Sequence, residues 1–178
     1  RERDGLQVMV DGRERAPLAA MRDMYLDENG EVVPGLSVNG ALAAGIPGEP
    51  AALVHIAERY GKLPISHSLA PAIRIAREGF VPNAQYRRLA QFRLDDLQHD
   101  PETAGIFLQD GELPGPEHRI TQPELAAVLE AIALHGRAGF YHGVVAERLV
   151  EGVRGAGGIW TLEDLAQYKV LERPPVSG

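Results

Sequence analysis

Apolar residues recur along most of this chain three and four positions apart, the spacing of a helix with one buried face. Leu53, Val54, Ala57 and Tyr60 form such a stripe, which predicts a helix over 49–60 stopped by Gly61. Leu69, Ala72, Ile73 and Ala76 predict a second over 67–78, with Gly79 as its stop. Pro71 fits there only in the first turn, where a missing N–H breaks no helical bond. A third helix is expected over 84–98 behind Asn83 as cap. The strongest pattern covers 122–135: Leu125, Val128, Leu129, Ile132 and Ala133 line one side, and Thr121 with Glu124 matches a capping box. Pro123 falls in its first turn and Gly136 closes it. Ala146, Leu149, Val150 and Val153 predict a fifth helix over 143–154, and Thr161 with Asp164 marks the start of a short sixth.

The first fifty residues carry a different pattern. Residues 6–10 (Leu-Gln-Val-Met-Val) read as a short strand and 18–25 as a short helix. Asp27-Glu28-Asn29-Gly30 supplies a turn, because Asn-Gly tolerates positive φ. Residues 34–48, rich in Gly and Pro, read as an ordered connector. The expected fold class is mainly α with a short N-terminal strand. No internal boundary stands out, so 1–178 reads as one piece: 1–17 strand and loop, 18–48 short helix and connector, 49–178 helical region.

Composition narrows the partners. Over 178 residues the net charge is −7, and no four basic residues are consecutive. Neither a nucleic acid nor an anionic membrane surface is expected to bind such a chain. A small molecule or a protein is the expected partner. Cysteine is absent, which removes disulfides, thiol nucleophiles and thiolate metal sites and fits either cytosol or periplasm. No apolar stretch approaches the ~20 residues needed to span a bilayer. Lys occurs only at 62 and 169, so Arg supplies the other sixteen of the eighteen basic residues.

Candidate chemistry is sparse. Gly155-Ala156-Gly157-Gly158 lacks the spacing of a phosphate-binding loop and reads as a helix-ending turn. Gly45-Ile46-Pro47-Gly48 leads into a helix N-terminus, which could hold an anion. The histidines at 55, 67, 99, 118, 135 and 142 show no metal-binding i, i+4 pair with a carboxylate between, so no metal is expected. No Ser stands in a nucleophile elbow. That leaves Asp11-Gly12-Arg13-Glu14-Arg15-Ala16-Pro17, a charged heptad directly behind the strand. Arg13 has two readings: a surface arginine paired with Asp11 or Glu14, or a planar fork placed to hold a carboxylate.

The heptad resembles the Asp-x-Arg-Glu-x-Ala-Pro segment of the gamma-glutamyltransferase (gamma-glutamyl transpeptidase) family. Further segments look like that family's in the same order, among them Tyr60-Gly61-Lys62-Leu63-Pro64, Pro71-Ala72-Ile73-Arg74-Ile75-Ala76-Arg77-Glu78-Gly79-Phe80, Phe140-Tyr141-His142-Gly143, the stretch from Thr161 to Tyr168, and Glu172-Arg173-Pro174-Pro175-Val176-Ser177-Gly178. The resemblance implies the helical portion of the large subunit of an N-terminal nucleophile hydrolase with an αββα fold. It implies a precursor, or zymogen, that cleaves itself in two, and a Thr at the new N-terminus of the small subunit that attacks a gamma-glutamyl amide. The acyl group then passes to water or to an amine, the chemistry of glutathione metabolism. Arg13 is thereby implied to bind the substrate's α-carboxylate, with the small subunit as protein partner, a glutathione-like molecule as substrate and no cofactor. None of Thr103, Thr121 and Thr161 matches the nucleophile, so no catalytic residue is expected in this chain, and the chain alone is expected to be an inactive fragment. A bacterial periplasmic or secreted location is implied, with the cytoplasm left open. Two alternatives stand beside this: a cephalosporin or glutaryl acylase of the same superfamily, and a non-catalytic helical interaction module.

Overall fold

A computed structural model describes residues 5–176. In chain order its elements are β1 (Met9–Asp11), α1 (Glu49–Tyr60), α2 (Ile65–Glu78), α3 (Ala84–Gln91), α4 (Leu94–His99), α5 (Pro101–Phe107), α6 (Pro123–His135), α7 (Ala138–Tyr141), α8 (Gly143–Gly155), α9 (Leu162–Gln167) and β2 (Leu171–Arg173). A 3-10 turn at Ala41–Ala43 interrupts the connector before α1. The mainly helical class expected from the pattern is what forms.

Two compact units divide the chain, one of Arg1–Ile65 with Ala131–Gly178 and one of Ser66–Glu130. Both divisions fall inside helices, α2 and α6, where no change of composition marks them. In the first unit β1 and β2 pair antiparallel, Met9 opposite Arg173 and Asp11 opposite Leu171. Ile46, Val54, Phe140, Tyr141, Trp160, Leu165 and Tyr168 form its buried core. The Trp160 indole N–H donates to the Ala44 carbonyl at 3.0 Å, so the ring is buried without an orphaned donor. In the second unit Ala76, Leu108, Ile120 and Ala126 are buried. Phe80 and Ile120 exchange both main-chain hydrogen bonds at 3.0 Å. Asp110 and Gly111, both at positive φ, turn the chain between Gln109 and Glu112.

Four expectations need correction. The strand expected over 6–10 is shorter and later, Met9–Asp11, because only these residues pair with β2. Residues 18–25 are not a helix but a run of i→i+3 turns, with Ala20 bonded to Pro17 and Leu26 to Asp23. Leu18 and Met21 stay exposed there and Ala20, Met24 and Tyr25 are only half-buried, so no fully buried apolar face stabilises helical turns. The helix expected over 84–98 is two: Phe92 and Arg93 donate to Leu89 and Ala90, an i→i−3 tightening that shifts the helical phase. α2 begins at Ile65, which puts Pro71 inside the helix rather than in its first turn. Other expectations hold. Asn83 caps α3 by accepting from the Tyr86 N–H at 2.8 Å, and Thr161 and Asp164 close a full capping box on α9. Gly79 and Gly136 end their helices at positive φ, whereas Gly61 does so in extended conformation at φ −73°.

Candidate functional site

The heptad leaves β1 at Asp11 and runs as an irregular loop until Arg15 and Ile46 exchange main-chain hydrogen bonds of 3.1 and 2.7 Å. Between these points side chains hold the main chain of Arg13. Its N–H donates to Asp11 Oδ1 at 3.1 Å, and its carbonyl accepts the Tyr168 hydroxyl at 2.8 Å. Asp11 Oδ2 in turn lies 2.7 Å from Arg173 Nε on β2. The Arg173 guanidinium, with the Arg13 N–H behind it, holds the Asp11 carboxyl below the usual range.

Tyr168 is buried, and its ring stacks on Tyr141 with centroids 5.7 Å apart and planes 16° apart. Each ring carries a guanidinium: Arg15 lies 5.2 Å from the Tyr168 centroid and Arg137 lies 4.7 Å from that of Tyr141. Main-chain carbonyls hold both arginines in place. Arg15 Nη2 donates to Lys169 at 3.0 Å, and Arg137 Nη2 donates to Ala166 and Tyr168 at 2.9 and 2.6 Å. The Tyr141 hydroxyl donates to the Pro47 carbonyl at 2.7 Å and accepts the Ala51 N–H at 3.2 Å. Burial pushes the Tyr141 phenol up to about 12 and raises that of Tyr168 as well. Both hydroxyls therefore keep the protons they donate.

The loop presses against the start of α1. A Cβ on Gly48 would collide with the Tyr168 hydroxyl and the Gly12 carbonyl, and one on Gly12 would collide with Ala52. Gly48 has φ −113°, open to any residue, so space rather than handedness demands glycine there. This packing also closes the anion site considered at Gly45-Ile46-Pro47-Gly48. Pro50 has no N–H, the Ala51 N–H goes to Tyr141, the Ala52 N–H goes to the Gly48 carbonyl, and Glu49 adds negative charge.

The side chain of Arg13 is held far less than its main chain. It is 82% exposed, with Nε 3.2 Å from Glu14 Oε1, and no other partner of the guanidinium lies among the described residues. Glu14 is thus the surface partner, while Asp11 is engaged by Arg173. The rest of the fork is open to solvent, and a ligand carboxylate competes only with one exposed, weakly worth ion pair.

Sequence reading passed over a second cluster. Glu172 Oε1 on β2 receives the Tyr60 hydroxyl at 2.5 Å, lies 2.6 Å from His55 Nε2 and 3.2 Å from Arg59 Nε. Its three partners share α1, but Glu172 lies more than a hundred residues further along, so no local spacing signals the group. Cavities of about 610 and 430 Å³ flank this cluster; Tyr60 and Glu172 line the first, His55 and Lys169 the second, and Arg13 lines neither. Thr161 Oγ1 donates to Asp164 Oδ2 at 2.6 Å and accepts the Asp164 N–H, which commits it to capping α9.

A mainly helical chain whose exposed guanidinium rises from a fixed loop behind an edge strand fits the class already suggested by its motifs. The crystal structure of the Helicobacter pylori gamma-glutamyltranspeptidase superposes on 97% of this chain with a TM-score of 0.93 at 35% identity, and this chain covers 50% of that one. A cephalosporin acylase from Bacillus halodurans matches over 94% of this chain at 26% identity with a TM-score of 0.79. These likenesses define the class as the N-terminal nucleophile hydrolases, and the described helices as part of that fold. The glutathione hydrolase proenzyme of Pseudomonas sp. (strain A14) is 39% identical over 174 residues, 97% of this chain. The family profile described as gamma-glutamyltranspeptidase matches residues 1–178, and the chain belongs to that family. It spans about 30% of the length of the curated relatives it matches.

Proposed function

We propose that this chain supplies the substrate-carboxylate anchor of an autoprocessed gamma-glutamyl hydrolase or transferase that acts on glutathione-like amides. Arg13 is the anchor, its fork pairing with both oxygens of the α-carboxylate of the gamma-glutamyl group. The nucleophile is the N-terminal Thr of a small subunit cut from the same precursor; that subunit is the protein partner. Donors that stabilise the oxyanion formed during acyl transfer belong to the same subunit. The reading places the enzyme in the periplasm or outside the cell. Among the described residues no helix is long and apolar enough to cross a membrane.

One observation carries the reading: the family match runs over residues 1–178 and includes the heptad, whose third residue is an exposed guanidinium on a pinned main chain. The likeness to a cephalosporin acylase supports a second substrate class, acyl amides whose side-chain carboxylate would also engage Arg13. The test is to express the full-length protein containing this chain, look for self-cleavage into two chains, and assay a chromogenic gamma-glutamyl anilide beside a glutaryl anilide. Cleavage with gamma-glutamyl turnover supports the first reading, and turnover of the glutaryl compound alone supports the second. Neither cleavage nor release would sink both.

A further inference from the structure

We infer that Tyr168 is a positioning residue for the carboxylate anchor, acting through the main chain of Arg13; this rests on the reading of Arg13 as that anchor. Arg13 lies in no regular element, so no helix or sheet ladder fixes its peptide groups. The carbonyl is fixed instead by the Tyr168 hydroxyl at 2.8 Å, the N–H by Asp11. Tyr168 is well suited to the task. Its ring cannot swing, since it is 2% exposed, stacked on Tyr141 and covered by Arg15. Tyr141 is itself tied by its hydroxyl to Pro47 and Ala51 at the start of α1. The hydroxyl of Tyr168 thus transmits the position of α1 and the core to a loop whose functional side chain stands in solvent. Precision of this kind matters because a bidentate pair is directional: a loop free to shift by an ångström presents the fork at many angles and binds each less well.

The experiment uses the full-length, processed protein, with initial rates on a gamma-glutamyl anilide and on its analogue lacking the α-carboxylate. Tyr168→Phe keeps the ring and its stacking and removes only the hydroxyl. Its KM for the complete donor is expected to rise roughly fivefold, the scale of one lost hydrogen bond, with kcat little changed. KM for the analogue is expected not to move. Arg13→Lys run in parallel separates the two claims. If Arg13→Lys raises KM and Tyr168→Phe does not, the positioning role is overturned and the anchor stands. If Arg13→Lys leaves KM unchanged, the anchor reading falls and the positioning role falls with it. An equal rise for both donors in Tyr168→Phe makes the effect a general loosening and overturns the proposal. Should Tyr168→Phe not fold, 3-fluorotyrosine at 168, which keeps the hydroxyl and makes it a stronger donor, is expected to lower KM for the complete donor alone. No change there overturns the proposal equally.

Discussion

Asp164 Oδ1 accepts the main-chain N–H of Leu18 at 2.5 Å, across 146 residues of sequence. The other oxygen of the same carboxylate accepts the Thr161 N–H and hydroxyl, at 2.7 and 2.6 Å. One buried carboxylate therefore caps α9 and fastens the chain just beyond the heptad.

Replacing it should be felt in both places. Asp164→Ala removes the carboxylate half of the capping box and strands the Leu18 N–H, and is expected to destabilise the protein by about 2–4 kcal/mol. Urea unfolding monitored by Trp160 fluorescence measures the loss. Thr161→Ser, which keeps the capping hydroxyl, should cost well under half as much.

For the anchor, Arg13→Lys in the full-length enzyme should raise KM for a gamma-glutamyl donor roughly tenfold or more, with kcat less affected. An ammonium keeps the charge but not the paired donors of the fork. Steady-state kinetics on the anilide check this. Glu14→Gln, which weakens the one ion pair of the guanidinium among the described residues, should lower KM slightly.

Acid should loosen the link between β2 and α1. The Tyr60 hydroxyl above all, then His55, holds the Glu172 carboxyl below its ordinary value of 4.5. A carboxyl with a lowered value in the folded state stabilises the fold above its unfolded value, and that contribution is lost as pH falls through the folded one. Glu172→Gln should therefore flatten the acid limb of stability. Urea midpoints measured from about pH 6 down to about pH 2 test this, and parallel curves for the two proteins would refute it.

Gly48→Ala probes the close packing of the loop on α1. The backbone there suits alanine, so the whole effect is the collision of the new methyl with Tyr168 and Gly12. A loss of about 1–3 kcal/mol is expected from such overpacking, read from thermal unfolding. In the active enzyme it should also raise KM, because the displaced hydroxyl is the one bonded to Arg13.

What could be read from the sequence was local. The stripe at Leu53, Val54 and Ala57 marks α1, and Thr161 with Asp164 announces α9, since each signal lies within a turn or two of what it specifies. The 18–25 stretch misled for the complementary reason: its residues permit a helix, but burial decides, and Leu18 and Met21 stay mostly exposed. The same limit applied at the site. Arg13 could be picked out from its heptad with Asp11 or Glu14 as its surface partner, and only the structure assigns Glu14 to it and Asp11 to Arg173. Nothing local to Arg13 could reveal that a tyrosine 155 residues later holds its carbonyl, or that Gly48 is glycine to make room for that tyrosine.

The pairing of Met9 with Arg173 also sets an order of events. During synthesis the heptad is among the earliest parts of this stretch to emerge, yet Tyr168, Arg173 and the strand that shelters it come at the other end. Contacts so distant in sequence must wait for the intervening chain to collapse before they form. Within this stretch the loop that presents Arg13 is made early and finished late, so its main chain stays unpinned in a nascent chain until Tyr168 and β2 have been made and brought back to it.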